Sequence, residues 1–508
     1  MKDLYNLFDE PWIDVLNKDL TYSSCGIKEL LLKAHEIIEL SEATPLTKYG
    51  IYRFLIALVM DAFDINDQEI LEDFIVDKQF SEELIKKYCQ EQRSNFFLFS
   101  ESHPFFQNPH LKDTIKNKQK SVSSLFQFIP TGYSTILFNH SLEEEHKISP
   151  KYCAKALCTL SAFIPVGGRG YTASINGRPP WYTLLKGNNL YEILLLNSCC
   201  VSIPLNDSKA PILWKLPSVL QNDPISQTST LQGLTWLPRY VYLFPDEGGK
   251  CTYCGETSDI LVSNIAFEQG WSFKGDWVDP HTSYITSNKG RFPLSLKSGR
   301  KIWRDIGPLL LKTEPGSSIK FDNPIVVQQF LSLENREILP DDYQMILEAY
   351  GIRTDQAKYL EWFEETLSLP LKILRNPFLS AQIQPAIDKA NKVESLLNET
   401  INNFGTKNSR KLNINSLKRQ ALDKYWGRLE FLFKKDFLLK LRDQDINNIN
   451  ESGRLQLEWK QKLRAIGQEI LEECLGEIST NPQFLRNQVE SMDDFNRKIF
   501  FMFFKKKK

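Results

Sequence analysis

Apolar residues recur every three or four positions in the C-terminal part of the chain, which is typical of helices that bury one face. Four stretches show this spacing, and segments rich in Gly or Asn separate them. Their apolar positions are Ile383, Ile387, Val393 and Leu397; Leu417, Ala421, Leu422, Leu429 and Phe433; Leu455, Trp459, Leu463, Ile466 and Ile470; and Leu485, Val489 and Phe495. Asn481-Pro482 marks the start of the last stretch, because proline is favoured in the first turn of a helix. Short connections between four helices predict a four-helix bundle over residues 376–508.

The preceding residues 1–375 mix two patterns. Helical spacing predicts helices over 20–40, 47–63 and 68–89, whereas strand patterns dominate from about 202 to 301. The clearest strand segments are 240–243 and 270–273, and turn residues stand at 246–249 and 288–290. The sequence shows no internal repeat. We therefore predict an α+β protein with two domains, an irregular mixed body (1–375) and a four-helix bundle (376–508).

Composition narrows the class of protein. The chain has 508 residues, of which 42% are hydrophobic and 25% are charged, as in ordinary soluble folded proteins. Its net charge is −1, but residues 376–508 carry +7 and the remainder −8. A protein that coats naked nucleic acid alone is usually clearly basic, so contact with nucleic acid is expected through local patches or inside a larger assembly. Because the sequence has neither a signal peptide nor a run of about 18 apolar residues, we expect a cytoplasmic protein without membrane contact.

Cysteines offer one candidate metal site. Cys251-Thr252-Tyr253-Cys254-Gly255 can point two thiolates at one tetrahedral ion, but a single Cys-x-x-Cys is half of a zinc site. His140, His146 and Cys153 are the scattered candidates for further ligands. The alternatives are a knuckle-shaped turn without metal and a pair of free thiols. We expect no required cofactor, and any zinc bound by Cys251 and Cys254 would be structural.

A glycine-rich stretch is the second unusual segment. Within FIPVGGRGYTASINGRPPW (residues 163–181), Gly167, Gly168 and Gly170 surround Arg169. Glycine allows the backbone to approach another surface closely, and arginine can meet phosphate. The stretch matches neither a P-loop nor a dinucleotide-binding motif. From composition alone, a structured turn is favoured over a ligand-binding loop.

Residues suited to catalysis are not grouped in the sequence. Six histidines are scattered along the chain, and none forms a His-x-x-x-His or His-Asp pair. The turn Asp279-Pro280-His281 only imitates a metal-binding pair. The sequence therefore gives no support for an enzyme.

Several segments, taken in order, resemble one known family: the large subunit of the type I-E Cascade complex, a CRISPR surveillance assembly (the CasA-like family). The resemblance spans the whole chain and includes the C-terminal four-helix bundle. The matching segments are Phe8-Asp9-Glu10-Pro11-Trp12-Ile13, His103-Pro104-Phe105-Phe106-Gln107, the glycine-rich stretch, Lys186-Gly187-Asn188-Asn189-Leu190, Leu234-Thr235-Trp236-Leu237-Pro238, the cysteine knuckle, Trp303 and Tyr350-Gly351.

This resemblance implies a non-catalytic role in finding DNA. Guide RNA pairing identifies the target, while a protein recognises the short adjacent motif, the PAM, and begins strand opening. The implied partners are the other Cascade subunits, the 5′ end of the guide RNA, double-stranded target DNA at the PAM, and the helicase-nuclease of the system. We weigh this function against a purely structural scaffold subunit and, less favoured, a metal-dependent nucleic-acid enzyme.

Individual site residues follow from the same resemblance. The PAM-recognising glycine loop corresponds to Gly167, Gly168, Arg169 and Gly170, with Arg169 at a position where a related loop has glycine, which suggests an altered PAM preference. The wedge that separates base pairs corresponds to Gln356, with Thr354 and Asp355 beside it. The minor-groove lysine of the family has no match in 267–271; Gln269 is nearest, and Lys274 is the alternative on the same hairpin.

Two further correspondences complete the implied site. Phe138, followed by Asn139, resembles the aromatic residue that contacts the guide RNA. The family's second cysteine pair for the knuckle is missing, because the matching stretch is Ser149-Pro150-Lys151-Tyr152.

Overall fold

The computed structural model describes most of the chain and divides it into two compact units. It describes residues 3–127, 129, 145–164, 171–218, 220–221, 223–288, 290–295, 301–310, 320–335, 344–355, 358–408, 413–445, 448–476 and 482–504, of which 334–335, 355, 358–360 and 449–450 are described by their backbone alone. The first unit comprises Met1–Ser298, Lys312–Asp341 and Met345–Leu367, and the second comprises Gly299–Leu311, Asp342–Gln344 and Ser368–Lys508. The second unit thus takes in a segment near residue 305 that the sequence analysis assigns to the body.

Short helices are spread through the N-terminal two thirds of the chain. The longest begins at Pro45, where Thr44 caps it by accepting a hydrogen bond from the Thr47 N–H at 3.1 Å. These helices are α1 (Ile27–Leu32), α2 (Pro45–Ala62), α3 (Gln68–Asp77), α4 (Glu82–Glu91), α5 (Pro150–Phe163), α6 (Leu190–Leu196), α7 (Thr230–Leu234), α8 (Ile306–Leu310) and α9 (Ile325–Asn335). All except α8 belong to the first unit.

The strands form small, separate sheets. They are β1 (Leu4–Asn6), β2 (Ile13–Asn17), β3 (Tyr22–Cys25), β4 (Ile37–Leu40), β5 (Phe97–Phe99), β6 (Lys120–Ser121), β7 (Tyr182–Lys186), β8 (Arg239–Lys250), β9 (Thr257–Gln269), β10 (Tyr284–Ser287), β11 (Gly290–Pro293), β12 (Lys320–Asp322), β13 (Gln344–Asp355) and β14 (Lys358–Pro370). Their orders are β1-β5, β3-β2-β4, β6-β9-β8, β11-β10-β12 and β14-β13-β7. The α+β fold class is confirmed.

Four local predictions for the body are wrong. The predicted strand over 270–273 is absent, because β9 ends at Gln269 and only Phe273 forms an isolated bridge, to Ile225. The predicted helix over 20–40 is split into β3, α1 and β4, since both strands pair with β2. The predicted helix over 68–89 is two helices, α3 and α4, separated at Lys78, whose φ of 62° is left-handed. The turn predicted at 246–249 is the far end of β8, because the hairpin turns at the cysteine knuckle. The helix over 47–63 is confirmed as α2.

Long helices dominate the second unit. They are α10 (Leu371–Arg375), α11 (Pro377–Ser380), α12 (Ile383–Lys407), α13 (Ile414–Leu432), α14 (Leu438–Asp443), α15 (Ile449–Gly476) and α16 (Pro482–Phe503), with a π-helical turn (Phe433–Phe437) between α13 and α14. The four longest, α12, α13, α15 and α16, are the helices that the apolar spacing predicts. Because α12 packs on α13, α15 and α16, and α15 on α13 and α16, the predicted helical bundle is confirmed.

Aromatic rings fill the core of this unit. Trp303 is fully buried, with its ring 4.7 Å from Phe433 and 5.5 Å from Trp426. Trp459 packs against Phe433 and Phe437 at 5.9 Å and 5.3 Å. This explains why the segment around Trp303 belongs to the second unit.

Two of the predicted apolar positions of α16 are exposed. Leu485 and Val489 lie in α16 as predicted but are 45% and 59% exposed, because Phe495, Ile499 and their neighbours form its buried face. Over the part of the chain that the structure describes, no helix combines the length and apolar character needed to cross a bilayer.

Candidate nucleic-acid interface

The structure describes the surroundings of the predicted DNA-contacting loops. Gly167, Gly168, Arg169 and Gly170 lie outside the described residues, as do Gln356 and the guide-RNA candidates Phe138 and Asn139; Asp355 is described by its backbone alone. Thr354, Gln269, Lys274, Cys251 and Cys254 are described in full. We call residues 171–186, which connect the glycine loop to the end of β7, the strap.

The strap is fixed to the helix that precedes the glycine loop. The Ser174 hydroxyl donates to the Ser161 carbonyl at 3.2 Å, and the Tyr182 hydroxyl donates to the Ala162 carbonyl at 3.0 Å. Ser161 and Ala162 lie in the last turn of α5, and all four residues are buried. The chain on both sides of the predicted PAM loop is therefore held together by hydrogen bonds that water does not reach.

A buried ion pair anchors the middle of the strap. Asn176 donates to the Asp279 carboxylate at 2.8 Å, and Arg53 donates to the same oxygen at 2.8 Å. The side chains of Arg53 and Asp279 are completely buried. Arg53 also donates to the carbonyls of Leu234 and Gly233 at 3.0 Å and 3.1 Å, so the guanidinium is well satisfied.

The buried histidine beside this ion pair is structural. The His281 ring lies 2.9 Å from the Asn197 carbonyl, and its backbone N–H donates to Asp279 at 3.0 Å. Burial lowers the pKa of His281 to about 4, so its ring is neutral near pH 7. The turn at residues 279–281 supports the core of the first unit.

At its start, the strap is clamped to the β8–β9 hairpin. The Thr172 N–H donates to Gln269 Oε1 at 2.7 Å, and Gln269 Nε2 donates to Thr172 Oγ1 at 2.7 Å. Arg239 donates to the Thr172 carbonyl at 3.0 Å. Gln269 and Arg239 face each other across the hairpin. Gln269, predicted from the family resemblance, thus contacts the residue two positions after Gly170 in the sequence. Lys274 is exposed, and its backbone N–H donates to the Ile225 carbonyl.

Cations surround the neighbouring tyrosine. Lys120 Nζ lies 2.5 Å from the Tyr171 hydroxyl and 4.9 Å from the centre of its ring. The Arg239 guanidinium lies 4.7 Å from the same ring, and the Tyr171 hydroxyl donates to the Phe267 carbonyl at 3.1 Å. Positive charge is therefore present beside Tyr171, which directly follows the predicted PAM loop in the sequence.

The end of the strap supports the strands that carry the predicted wedge. Residues 356 and 357 connect β13 to β14, and β7 pairs with β13 so that Tyr182 faces Tyr350. Arg178 donates to the Thr354 carbonyl at 3.0 Å. The Trp181 ring lies 4.3 Å from that of Phe363 on β14. One continuous segment thus contacts both hairpins.

A charged network also holds the wedge strands. Lys48 of α2 pairs with Glu364 of β14 at 2.8 Å, and Lys186 of β7 pairs with Glu348 of β13 at 2.9 Å. Glu39 lies 3.1 Å from both lysines. Burial alone would raise the pKa of Glu39, but the two ammonium groups outweigh it and lower the pKa. The network fixes the sheet at several independent points.

The cysteine knuckle is closed by hydrogen bonds. The Ser149 N–H donates to Cys251 Sγ at 3.4 Å. The Thr252 N–H donates to the Lys147 carbonyl at 2.8 Å, and the Lys147 N–H donates to the Thr252 hydroxyl at 3.1 Å. Burial would raise the pKa of Cys251, but backbone N–H groups around its sulfur lower it. No third Cys, His, Asp or Glu of the described residues joins Cys251 and Cys254 in a metal-binding group. The described residues therefore do not fit zinc, and His140 lies outside them.

A buried carboxyl group contacts a lysine of α5. The Glu42 side chain is 1% exposed and lies 2.6 Å from Lys155, which also contacts Asp14 at 2.5 Å. Burial raises the pKa of Glu42 to about 7, although Lys155 opposes the shift. The folded chain therefore holds a proton on Glu42 between about pH 4.5 and 7 that the unfolded chain releases.

We predict that Glu42→Gln changes how stability depends on pH. Because the folded pKa is raised, the contribution of Glu42 to stability is present at low pH and lost as pH rises through about 7. The free energy of unfolding of Glu42→Gln minus that of the wild type should therefore rise by about 2 to 3 kcal/mol between pH 5 and 8 in urea titrations. Glu69→Gln is the control, because it makes the same change in an exposed carboxyl group. A flat difference for Glu42→Gln contradicts the prediction.

In the second unit, three lysines lie together on α12 and α15. Burial and the ammonium groups of Lys460 and Lys392 lower the pKa of Lys389. Lys389 donates to Gln456, and Lys460 donates to the Phe503 carbonyl near the end of α16 at 3.5 Å. The three ammonium groups repel one another, and together they attract anions.

Together these contacts join the strap to the β8–β9 hairpin and to strands β13 and β14. Residues 6–470 match the family model described as CRISPR-associated protein Cse1, so the chain belongs to the Cse1 family, and the resemblance found in the sequence is confirmed.

Individual relatives agree with this assignment. The CRISPR-associated protein CasA/Cse1 of Thermus thermophilus is 25% identical over 521 aligned positions, which cover 97% of each chain. The solved structure of Thermus thermophilus CasA (Cse1) superposes with a TM-score of 0.76 at 22% identity, covering 98% of this chain and 99% of that one. A chain of a structure described as a CRISPR RNA-guided surveillance complex gives a TM-score of 0.76 at 18% identity, with 98% and 99% covered.

The sequence did not reveal the residues that support the loops. Lys120, Thr172, Asn176 and Arg178 have ordinary sequence surroundings, and only the glycines beside the last three drew attention to their segment. Their partners lie 51 to 176 residues away along the chain.

Proposed function

We propose that this chain is the PAM-recognising, double-stranded-DNA-binding subunit of an RNA-guided CRISPR surveillance complex, and that it starts strand separation and R-loop formation. It assembles with the other Cascade subunits and the guide RNA. It has no catalytic role of its own, works in the cytoplasm and offers a docking surface to the helicase-nuclease. The surveillance-complex structure with the same fold supports this assembly.

The observation that carries the proposal is the strap. It leaves the glycine loop, contacts the β8–β9 hairpin through Thr172, and pairs through β7 with the strand that leads to the wedge. The strap therefore links the glycine loop, the β8–β9 hairpin and the strand that leads to the wedge, which are the three elements implied by the family resemblance. A glycine backbone can enter a minor groove about 6 Å wide, where readout mainly separates A·T from G·C.

The wedge requires firm support. Inserting a side chain at a base step costs a few kcal/mol, which guide pairing later offsets. Arg178, the Trp181–Phe363 contact and the two lysine–glutamate pairs provide this support for β13 and β14. Gln356, between these strands, is proposed as the inserted side chain, with Thr354 and Asp355 at its base.

The proposal also gives roles to the lysine cluster of the bundle, the guide-RNA candidates and the cysteine knuckle. The Lys389, Lys392 and Lys460 cluster suits phosphate contact by the bundle, which adds salt-dependent affinity without sequence information. Phe138 and Asn139 are proposed to contact the 5′ end of the guide RNA. Structural zinc on Cys251 and Cys254 stays a prediction whose missing ligands would have to come from outside the described residues.

We predict that Gln356→Ala impairs DNA opening and spares opened DNA. In the guide-loaded complex, affinity for a closed duplex with a preferred PAM should fall roughly 10- to 30-fold, because the cost of unstacking is no longer offset. Affinity for the same DNA with a pre-opened target should stay within about twofold, as measured by equilibrium binding.

The matched control is Gln328→Ala, which removes an exposed glutamine on α9. Equal loss on closed and opened DNA, or no loss on either, would contradict the wedge assignment. Loss of assembly without loss of PAM selectivity would favour the scaffold alternative.

A further inference from the structure

Gln269 has its polar groups committed within the chain. Its Oε1 accepts from the Thr172 N–H at 2.7 Å, while Nε2 donates to Thr172 Oγ1 at 2.7 Å and to the Gly270 carbonyl at 2.9 Å. A glutamine amide has two N–H donors, so both are used. Gln269 therefore differs from a side chain that extends freely from a hairpin.

The polar groups of Thr172 are also hydrogen-bonded within the chain. Its N–H and hydroxyl contact Gln269, and its carbonyl accepts from Arg239 at 3.0 Å. Gln269 and Arg239 form a cross-strand pair at the ends of β9 and β8, and Arg239 is 3% exposed. Thr172 is exposed, so packing does not fix it, and these hydrogen bonds hold its backbone.

We infer that Gln269 is a positioning residue that clamps the downstream end of the glycine loop through Thr172 and thereby sets PAM selectivity. This inference rests on the proposed function of the loop. Thr172 stands two positions after Gly170, so losing Gln269 removes the hydrogen bonds that hold the chain just downstream of the loop, before the α5 contacts begin at Ser174. The role differs from the sequence prediction, in which Gln269 enters the minor groove itself.

A double-mutant cycle in the guide-loaded complex tests the clamp. Kd is measured for duplexes with preferred and disfavoured PAMs, using Gln269→Leu, Thr172→Val and the double variant. Gln269→Leu should lower the ratio of the two affinities about fivefold. Thr172→Val should lower it by less, because valine removes the hydroxyl contact and keeps the N–H contact. The double variant should lower the ratio no further than Gln269→Leu, since Gln269→Leu already removes both contacts. Gln269→Glu should restore part of the ratio lost in Gln269→Leu, since its oxygens can accept from the Thr172 N–H and hydroxyl, whereas the bond to the Gly270 carbonyl is lost. Gln328→Leu is the matched control.

The possible outcomes distinguish a failure of the Gln269 clamp from a failure of the proposed PAM-recognising function. If Gln269→Leu lowers the ratio and Thr172→Val does not, or if the two losses add, Gln269 contacts DNA directly and the inference is overturned. Hydrogen exchange at the Thr172 amide of the isolated chain should quicken at least fivefold in Gln269→Leu, and unchanged exchange overturns the clamp itself. A third result separates the contact from the function. If the wild-type complex shows no PAM preference but Thr172 exchange still quickens in Gln269→Leu, the Gln269–Thr172 contact is real, and both the proposed function and the role of Gln269 in PAM selectivity are overturned.

Discussion

Replacing Arg53 with methionine should lower the free energy of unfolding of the first unit by about 3 to 5 kcal/mol. The Asp279 carboxylate would keep its buried position and lose its charged partner 2.8 Å away. Methionine also leaves the carbonyls of Leu234 and Gly233 without their donor. A buried acceptor without a partner costs about 1 to 3 kcal/mol, so the loss extends beyond the ion pair.

Chemical denaturation of the full chain, followed by probes in the first unit, measures this effect. Arg291→Met is the control, because its pair with Asp322 is partly exposed and worth under about 1 kcal/mol. The double variant Arg53→Met/Asp279→Asn should recover part of the loss, since it removes the unpaired charge. A loss below about 1 kcal/mol in Arg53→Met would show that the buried pair is not needed for stability.

Gly168→Asp should weaken binding of the guide-loaded complex to a PAM-containing duplex on the order of 100-fold. The substitution adds a side chain where the backbone is proposed to enter a narrow groove, and it places a carboxylate among phosphates, where like charges cost several kcal/mol. Assembly with the other subunits should be unchanged, as judged by size-exclusion chromatography.

The control for Gly168→Asp places the same charge at a glycine in the second unit. Gly427→Asp lies on the exposed side of α13, where an added Cβ meets no atom within 4 Å. It should leave duplex affinity within about threefold of the wild type. If Gly168→Asp binds the duplex as the wild type does, the glycine loop is not the PAM-contacting element.

The helical bundle could be predicted from the sequence because its pattern is local. In α12, Ile383 and Ile387 are four positions apart, as are Val393 and Leu397, and all four side chains are completely buried, as this helical spacing predicts. The helix over 20–40 failed because β3 and β4 each need β2 as a partner, and such pairing is a contact between distant segments that overrides local preference.

The same limit applies to the candidate site. The glycines and Gln269 are recognisable from a family resemblance, whereas the clamp joins residues 97 positions apart and the Arg178 contact joins residues 176 positions apart. Nothing in the sequence around Thr172 indicates that its three backbone and side-chain polar groups are all committed. Such contacts become visible only when the fold brings the segments together.

We propose that this chain confers PAM selectivity on its complex. Binding of the guide-loaded complex, with and without the chain, to a DNA library randomised beside the target tests this proposal. We expect roughly 10- to 100-fold enrichment of preferred PAMs with the chain and no enrichment without it. Equal PAM preference in both samples would contradict the claim and leave a scaffold role as the better explanation.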